Sequence, residues 1–372
     1  MNAIFLFGTL LDPDLRRIVL GAETEAKPAR LPGWRVERSA DGDWPILVRS
    51  VGDTAEGLLI APSPEGASRT DYYEAGFAYV TEVAEVVADA GSVAARVYRA
   101  PAGAGSGAAW SLADWQAAHG AMTRFAATEV MGLFGRIDVE ALRFRMGTLR
   151  ARASSRIRAG QEAAPTTLRA DIHRDRVEVI EQRVPYHHFF AVAETELRHP
   201  TFSGGMSGQM ERAAFWMSDA VTVVPYDPVR RRVLLVEQFR FGAYLRGDPY
   251  PWLLEPIAGR IDPGESPEAA AIREAREEAR VELGAMHRIA GYYSGPGATS
   301  EFVDSYVGIA DLPDEAATVA GIEDEQEDIR SHVLTLDHAL DLIETGEAAT
   351  GPLLASLLWI DRAVRLGRLD PP

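Results

Sequence analysis

Apolar and polar positions fall into two long patterned stretches with a polar, arginine-rich stretch between them. Ala3 to Phe7 is a short apolar run closed by Gly8-Thr9, as a buried strand would be, and Asp12 to Leu20 follows with helical spacing. Short alternating segments split by Gly, Pro and Asp come next. Gly57–Ile60, Tyr79–Val87 and Val93–Tyr98 are predicted strands. Pro101 to Gly107 is a Gly/Ala loop, and Leu112 to Phe144 reads as mostly helical. Strand-like segments return at Phe190–Glu196, Ala220–Val224 and Val233–Phe239, with the turn Pro225–Arg230 between the last two. Helical patterns at Leu336–Ile343 and Leu353–Val364 complete the second stretch. Strands followed by segregated helices give an α+β class.

A chain of 372 residues exceeds one average domain. From Leu149 to Arg176 there are seven arginines against three acids, with Gly160 and Pro165 inside. This reads as a solvated connector, so the expected organisation is a domain at 1–148, a linker at 149–175 and a domain at 176–372. No internal repeat or low-complexity tract interrupts it.

Net charge is −17, which argues against non-specific attraction to nucleic acid or to an anionic membrane. An anionic small-molecule substrate then requires local arginines or bound metal. The absence of cysteine removes disulfides, thiolate zinc sites and cysteine nucleophiles. The N-terminal apolar run lacks a basic flank and is broken by Gly8 and Asp12. Apolar runs such as Pro352 to Ile360 fall well short of the ~20 residues of a membrane span. A soluble cytoplasmic protein is the expectation.

The stretch from Gly259 to Leu283, GRIDPGESPEAAAIREAREEARVEL, carries seven acidic residues. Ser266-Pro267-Glu268 marks a helix start: a capping serine, proline in the first turn and an acid beside it. Glu274, Glu277 and Glu278 are spaced i, i+3 and i+4, so they share one face. Like charges at that spacing cost ~0.2–0.5 kcal/mol per pair. A divalent cation reverses the sign, since carboxylate oxygens are what Mg²⁺ or Mn²⁺ prefers. The competing reading is a solvated charged face. Ala269, Ala270, Ala271, Ile272, Ala275, Ala279 and Val281 give an apolar side that can pack on a sheet.

The full spacing resembles the Nudix box, Gly-x5-Glu-x7-Arg-Glu-U-x-Glu-Glu-x-Gly-U. Gly259, Glu265, Arg273, Glu274, Ala275, Glu277, Glu278 and Val281 stand as that family has them. Arg280 occupies the place of the family's glycine, which removes a left-handed helix cap and leaves open a helix running on toward Gly284. The resemblance extends over about 185 to 365. Glu237-Gln238-Phe239-Arg240, Trp252-Leu253-Leu254-Glu255, Pro296 and Thr299-Ser300-Glu301 look like the ADP-ribose pyrophosphatase branch, as does Asp324-Glu325-Gln326-Glu327-Asp328-Ile329.

This resemblance implies a C-terminal Nudix α/β/α sandwich that hydrolyses ADP-ribose or a related nucleoside diphosphate sugar to AMP and a sugar phosphate. It implies Mg²⁺, with Mn²⁺ a second candidate, held by Glu274, Glu277, Glu278 and the Ala258 carbonyl. Metal bound there acidifies water and neutralises charge on the phosphate oxygens. Arg240 would pair with the diphosphate, and Glu301 would be a further metal-linked acid. Glu325 would be the general base, with Glu327 its rival. Glu265 would bind Arg273. A homodimer exchanging N-terminal strands is also implied, with Glu194 to Gly205 in the exchanged region and Arg198 reaching the partner's site. An alternative within the same family is a nucleotide-sugar sensor without turnover.

Phe5-Leu6-Phe7-Gly8-Thr9-Leu10 and Asp71-Tyr72-Tyr73-Glu74-Ala75-Gly76 resemble the γ-glutamylcyclotransferase-like (AIG2-like) family. The implied fold is a β-barrel with helices. The implied site has backbone N–H groups of Gly8, Thr9 and Leu10 binding an anion and Glu74 moving protons. Phe7 stands where tyrosine is usual, and Ala75 interrupts the Glu-Gly pair. A carboxylate among Tyr72, Tyr73, Phe77 and Tyr79 suits acid/base work; the plainer reading is a surface glutamate on a turn. Cyclotransferase activity and a binding role are both open. The pairing of the two domains is similar to a bacterial family associated with tellurite resistance.

Other residues have weaker claims. Adjacent His187 and His188 point to opposite faces of a strand, which argues against a shared metal. The tryptophans at 110, 115, 216, 252 and 359 read as core or interface.

Overall fold

A computed structural model describes residues 3–100, 105–162, 165–317, 319–320 and 328–369. Two compact units divide the chain, Met1–Ala163 and Ala164–Pro372.

The first unit holds strands β1 (Ile4–Leu6), β2 (Ala26–Ser39), β3 (Pro45–Ile60), β4 (Val80–Ala88), β5 (Gly91–Arg99) and β6 (Gly105–Ala109). They form a sheet in the order β3-β1-β5-β4-β2-β6, and an added β2–β3 pairing curls it into a barrel-like form. Its helices are α1 (Pro13–Leu20), α2 (Pro64–Gly76), α3 (Leu112–Trp115), α4 (Ala121–Gly132) and α5 (Val139–Gln161). Side chains of Asp12, Ser63 and Asp138 cap α1, α2 and α5 by accepting N–H bonds three residues on. Ile4, Leu6, Leu15, Tyr73, Val130 and Leu142 close one core between sheet and helices.

Two elements differ from the sequence expectation. Of the long strands β2 and β3 the sequence pattern shows only the end of β3, Gly57–Ile60, because Pro28, Pro32, Gly33 and Gly52 look like turn signals; a bulge between Pro32 and Trp34 absorbs the break. The stretch 149–161, expected as linker, continues α5. Leu149, Ala151 and Ala153 are buried there. Arg152 is buried on Glu129, with Nε at 2.9 Å and Nη2 at 2.7 Å from Oε2, and Arg156 lies over the Phe125 ring. Arginine stems cover apolar surface, so composition alone mistook a packed helix for a solvated connector.

The second unit begins with a separate three-stranded sheet, β7 (Glu178–His187), β8 (Ala191–Arg198) and β9 (Met210–Trp216). Its main sheet contains β10 (Ala220–Asp227), β11 (Arg232–Phe239), β12 (Trp252–Glu255), β13 (Ile257–Arg260), β14 (Met286–Tyr293), β15 (Phe302–Ile309), β16 (Val319–Ala320) and β17 (Ile329–Thr335). The order is β14-β15-β10-β11-β17-β16, with β12 on β11 and β13 on β10. A short helix α6 (Phe241–Arg246) follows β11. Helix α7 (Pro267–Ala279) covers one face, packing on Val221, Val223, Leu234 and Val236. Helices α8 (Leu336–Thr345) and α9 (Gly351–Arg365) cover the other, on Val224, Tyr226, Val233 and Leu235. Both faces are buried, which is why β10 and β11 read as near-continuous apolar runs. The result is an α/β/α sandwich. No helix among the described residues is long and apolar enough to cross a membrane.

Candidate active site

Helix α7 starts where Ser266 accepts the Ala269 N–H at 3.1 Å, with Pro267 next. Ala270, Ala271, Ala275 and Ala279 are buried, and their small size lets the helix lie close to the sheet. It ends at Arg280, which adopts the left-handed conformation itself (φ 55°, ψ 32°). The Arg280 N–H bonds the Arg276 carbonyl at 3.1 Å, the 5→1 bond of an αL cap, and the Val281 N–H bonds the Ala275 carbonyl at 3.0 Å. The family's glycine is absent but its cap is kept, and the helix does not run on to Gly284.

The loop from Arg260 to Ser266 turns at Gly264, whose φ of 88° suits glycine. It brings Glu265 onto Arg273, as expected: Nε to Oε1 is 3.1 Å and Nη2 to Oε2 is 3.0 Å. Arg273 also donates to the Arg260 carbonyl at 3.0 Å, to Glu274 at 2.7 Å and to Glu277 at 2.9 Å. Bonds from Glu265 above all, with Glu274 and Glu277 adding, raise the guanidinium pKa further above its ordinary value. Glu278 is buried and its Oε2 accepts the Ala258 N–H at 3.2 Å. Glu274 lies over Gly259, where an added Cβ would stand 1.8 Å from Oε1.

As the side chains stand, no three acidic or histidine groups among the described residues converge on one metal position. The charge between Glu274 and Glu277 is that of Arg273. The surroundings nevertheless suit a divalent cation. The donors are all carboxylate oxygens around one backbone strand, and the space above Gly259 is one that any side chain would fill.

Arg240 follows β11, and its Nε bonds Glu255 Oε2 at 2.6 Å. Burial pushes the Glu255 carboxyl up, against the opposing pull of Arg240. Glu255 pairs in register with Val236, whose side chain packs with α7. Glu255 had no assigned role in the sequence reading. Its pairing with Arg240 joins two strands fifteen residues apart in sequence, and no local motif announces it. Arg198 ends β8 in an exposed position. Glu301 is half-buried before β15, in a loop tied to β9 by Phe215 and Ser300. Glu325 and Glu327 lie outside the described residues.

In the first unit, Gly8 precedes a single 3₁₀ turn, Thr9–Leu11. N–H groups at the start of such a turn have no intrahelical acceptor. An added Cβ on Gly8 would meet Pro45 Cγ at 2.6 Å, and the Pro45 carbonyl accepts the Tyr79 hydroxyl at 3.1 Å. Glu74 sits in the last turn of α2 rather than on a surface turn. Burial pushes its carboxyl up to about 8, and no hydrogen bond or ion pair holds it among the described residues. Burial first, then the charge of Glu74, raises Tyr79; burial first, then the hydrogen bond and charge of Asp71, raises Tyr98. The tyrosine at 79 thus stands beside both Pro45 and Glu74, and links them.

An α/β/α sandwich whose glycine-led strand meets a glutamate-rich helix through one arginine fork defines a class. Residues 216–357 match the NUDIX domain model. The chain belongs to the Nudix family, and its second unit is a Nudix hydrolase. Residues 4–117 match the family of gamma-glutamyl cyclotransferase, AIG2-like proteins, so the first unit carries an AIG2-like domain. The chain is 36% identical over 196 residues to an ADP-ribose pyrophosphatase of Escherichia coli (strain K12), covering 53% of this chain and 93% of that protein. It is 32% identical over 186 residues to the ADP-ribose pyrophosphatase of Haemophilus influenzae, covering 50% and 85%. It is 28% identical over 189 residues to a GDP-mannose pyrophosphatase of Enterobacter sp., covering 50% and 95%.

Proposed function

We propose that the second unit hydrolyses the diphosphate bond of ADP-ribose, or of a closely related nucleoside diphosphate sugar, to AMP and a sugar phosphate. The observation that carries this reading is that α7 sets Glu274 over Gly259 and Glu278 on the Ala258 N–H, with Glu277 tied to Glu274 through Arg273. Similarity to pyrophosphatases acting on such compounds supports the substrate class.

Glu274, Glu277 and Glu278, with the Ala258 carbonyl, hold Mg²⁺ or Mn²⁺. Metal bound there supplies Lewis-acid stabilisation of the phosphate oxygens and acidifies water. Arg273 keeps Glu274 and Glu277 oriented from behind through its anchor on Glu265. Arg240, held at Nε by Glu255, presents its remaining N–H groups to the diphosphate. Water attacks one phosphorus, the bond from that phosphorus to the bridging oxygen breaks, and the water's proton passes to Glu325 as general base. A homodimer with Arg198 at the partner's site accompanies this reading.

Incubation with ADP-ribose and Mg²⁺, followed by chromatography for AMP, tests it. Glu278→Gln is expected to remove most turnover and leave folding intact. Tight ADP-ribose binding by the unmodified protein with no AMP formed would favour a sensor instead.

A second reading concerns the first unit and rests on the unpartnered, elevated carboxyl of Glu74. It removes a proton from the α-amine of a γ-glutamyl amide as that amine attacks the γ-carbonyl. The C–N bond breaks, and the proton is returned to the departing amine. The N–H groups of Gly8, Thr9 and Leu10 hold the substrate's anionic end. Release of 5-oxoproline from a γ-glutamyl peptide, abolished in Glu74→Gln, is the test.

A further inference from the structure

The helical stretch after β6 contains an irregularity that the Glu74 reaction does not use. Helices α3 and α4 are joined without a break by a π-turn, Gln116–Gly120, with right-handed helical backbone at both ends. Such a turn holds one residue more than an α-turn. It therefore re-aims the side chains beyond it by about 100°, and turns of this kind gather at functional sites. Two of its side chains reach the chain segments that meet at Gly8. Gln116 Nε2 donates to Asp12 Oδ2 at 2.6 Å, just past the Thr9–Leu11 turn. His119 Nε2 stands 3.2 Å from Asp43 Oδ2, in the loop that joins β2 to β3.

Asp43 is two residues from Pro45, which packs against Gly8 and accepts the Tyr79 hydroxyl. Pro45 is buried, while Asp43 and His119 are partly exposed. The other hydrogen bonds of the loop run within it: the Ser39 N–H to the Trp44 carbonyl, and the Asp41 N–H to Ser39 Oγ. Among the described residues, the pair with His119 is thus the polar tie between this loop and the helical layer. The ionisable neighbours of Glu74 are Tyr73, Tyr79 and Tyr98. Of these, Tyr79 is the one whose hydroxyl is held by Pro45. A carboxyl without a charged partner is governed by how well water is kept from it, so the loop that holds Tyr79 has a hold on Glu74 as well. His119 lies beyond residues 4–117, the stretch matched by the AIG2-like family, so the tie is an addition of this chain to that stretch.

We propose that His119 and Asp43 are positioning residues of the Glu74 site: their bond holds the β2–β3 loop so that Pro45 fixes Tyr79 beside Glu74 and keeps water from the carboxyl. The inference rests on the second reading above, and its test separates the two. The full chain is labelled with ¹³C in its glutamate carboxyls, and the Glu74 signal is assigned by its loss in Glu74→Gln. Its titration is followed in wild type, His119→Ala and Asp43→Ala, beside urea unfolding and 5-oxoproline release from a γ-glutamyl peptide. The wild-type carboxyl titrates at about 8. In both variants the midpoint falls below about 7 as water reaches the carboxyl, while the urea midpoint stays near wild type, as expected for a partly exposed pair. The kcat falls at least about tenfold, since a small misplacement costs that much or more, and KM changes less. His119→Gln keeps a side-chain N–H donor and retains wild-type values. The double variant is no worse than either single one. Asp43 lies in a loop outside the helices, so Asp43→Ala serves should His119→Ala disturb the π-turn. An unmoved Glu74 midpoint in either folded variant, whatever its turnover, overturns the inference. So does a wild-type Glu74 that titrates in the ordinary carboxylate range. Wild-type protein that releases no 5-oxoproline, but whose Glu74 midpoint moves in both variants, supports the positioning role and sinks the cyclotransferase reading alone.

Discussion

Replacing Gly259 by alanine separates the chemistry of the Nudix site from its stability. Gly259 lies in β13 opposite Val221, in an ordinary extended conformation, so the methyl group brings no backbone strain. The obstacle is steric: the new Cβ stands 1.8 Å from Glu274 Oε1 and 2.0 Å from Cδ, where real contacts do not fall below 3.0 Å. The carboxylate must retreat by more than an ångström, and as the end of a flexible side chain it can. Alanine reduces the freedom of the unfolded chain, which stabilises by about 0.4–1 kcal/mol. Loss of the Arg273–Glu274 contact costs about the same on a partly exposed pair. The net change in unfolding free energy is therefore within about 1 kcal/mol. Turnover is another matter, since Glu274 also loses Arg273, and losing the partner that orients a metal ligand lowers metal affinity or activity about 10- to 100-fold.

The assay is AMP release from ADP-ribose over a Mg²⁺ series, beside urea unfolding of the same sample. Gly57→Ala is the control, because its Cβ would meet the Leu6 backbone carbonyl at 2.2 Å and the Phe5 ring at 2.6 Å. There nothing flexible gives way, and a loss of about 1–3 kcal/mol is expected in the first unit. Full activity of Gly259→Ala at limiting Mg²⁺ would refute the placement of Glu274 as a ligand. A large drop in its unfolding midpoint would refute the steric reasoning.

Three further outcomes follow from single contacts. Arg280→Gly removes the cost of a left-handed arginine (φ 55°) and raises unfolding free energy by about 0.5–1 kcal/mol, read by urea denaturation with unchanged AMP release. Asp12 is buried, which alone would raise its pKa, but Arg124, the Leu15 N–H and Gln116 overcome burial and hold it at about 2. Its folded pKa lies below the unfolded value of 3.8, so this stability is present above about pH 4 and lost as pH falls toward 2. Asp12→Asn should cost about 2 kcal/mol at pH 7, and calorimetry should find the gap to wild type closing over that acid range. Glu74 has the opposite sign: with its pKa raised from 4.5 to about 8, the wild type loses stability as pH rises through that interval, and Glu74→Gln does not. Thermal unfolding at pH 5 and pH 9 should show the variant gaining on wild type at the higher pH; parallel shifts would mean that Glu74 is solvated.

The carboxylates of α7 were legible because their grouping is local. Spacing i, i+3 and i+4 needs no knowledge of the rest of the chain, and the strand–loop–helix around it is short. What stayed hidden depends on register. Arg240 meets Glu255, and Glu237 meets Arg330 and His332, only after β11, β12 and β17 are aligned; a shift of one residue would place those charges on the opposite face. The buried arginine at 152 was unreadable for a related reason, since its partner Glu129 belongs to another helix.

Arg280 shows how local rules fail when a tertiary term outweighs them. A missing glycine argued against a left-handed cap, and the strain on a larger residue there is about 1–2 kcal/mol. Ending the helix at that point, however, turns Val281 inward, where it is 6% exposed against the α7 core. Burying a valine side chain is worth about 1.5 kcal/mol or more, and the two capping bonds of Val281 and Arg280 add to it. A helix continued toward Gly284 would forfeit both. The sum favours the strained arginine by a small margin, which a motif written in residue names cannot express and a packed core decides.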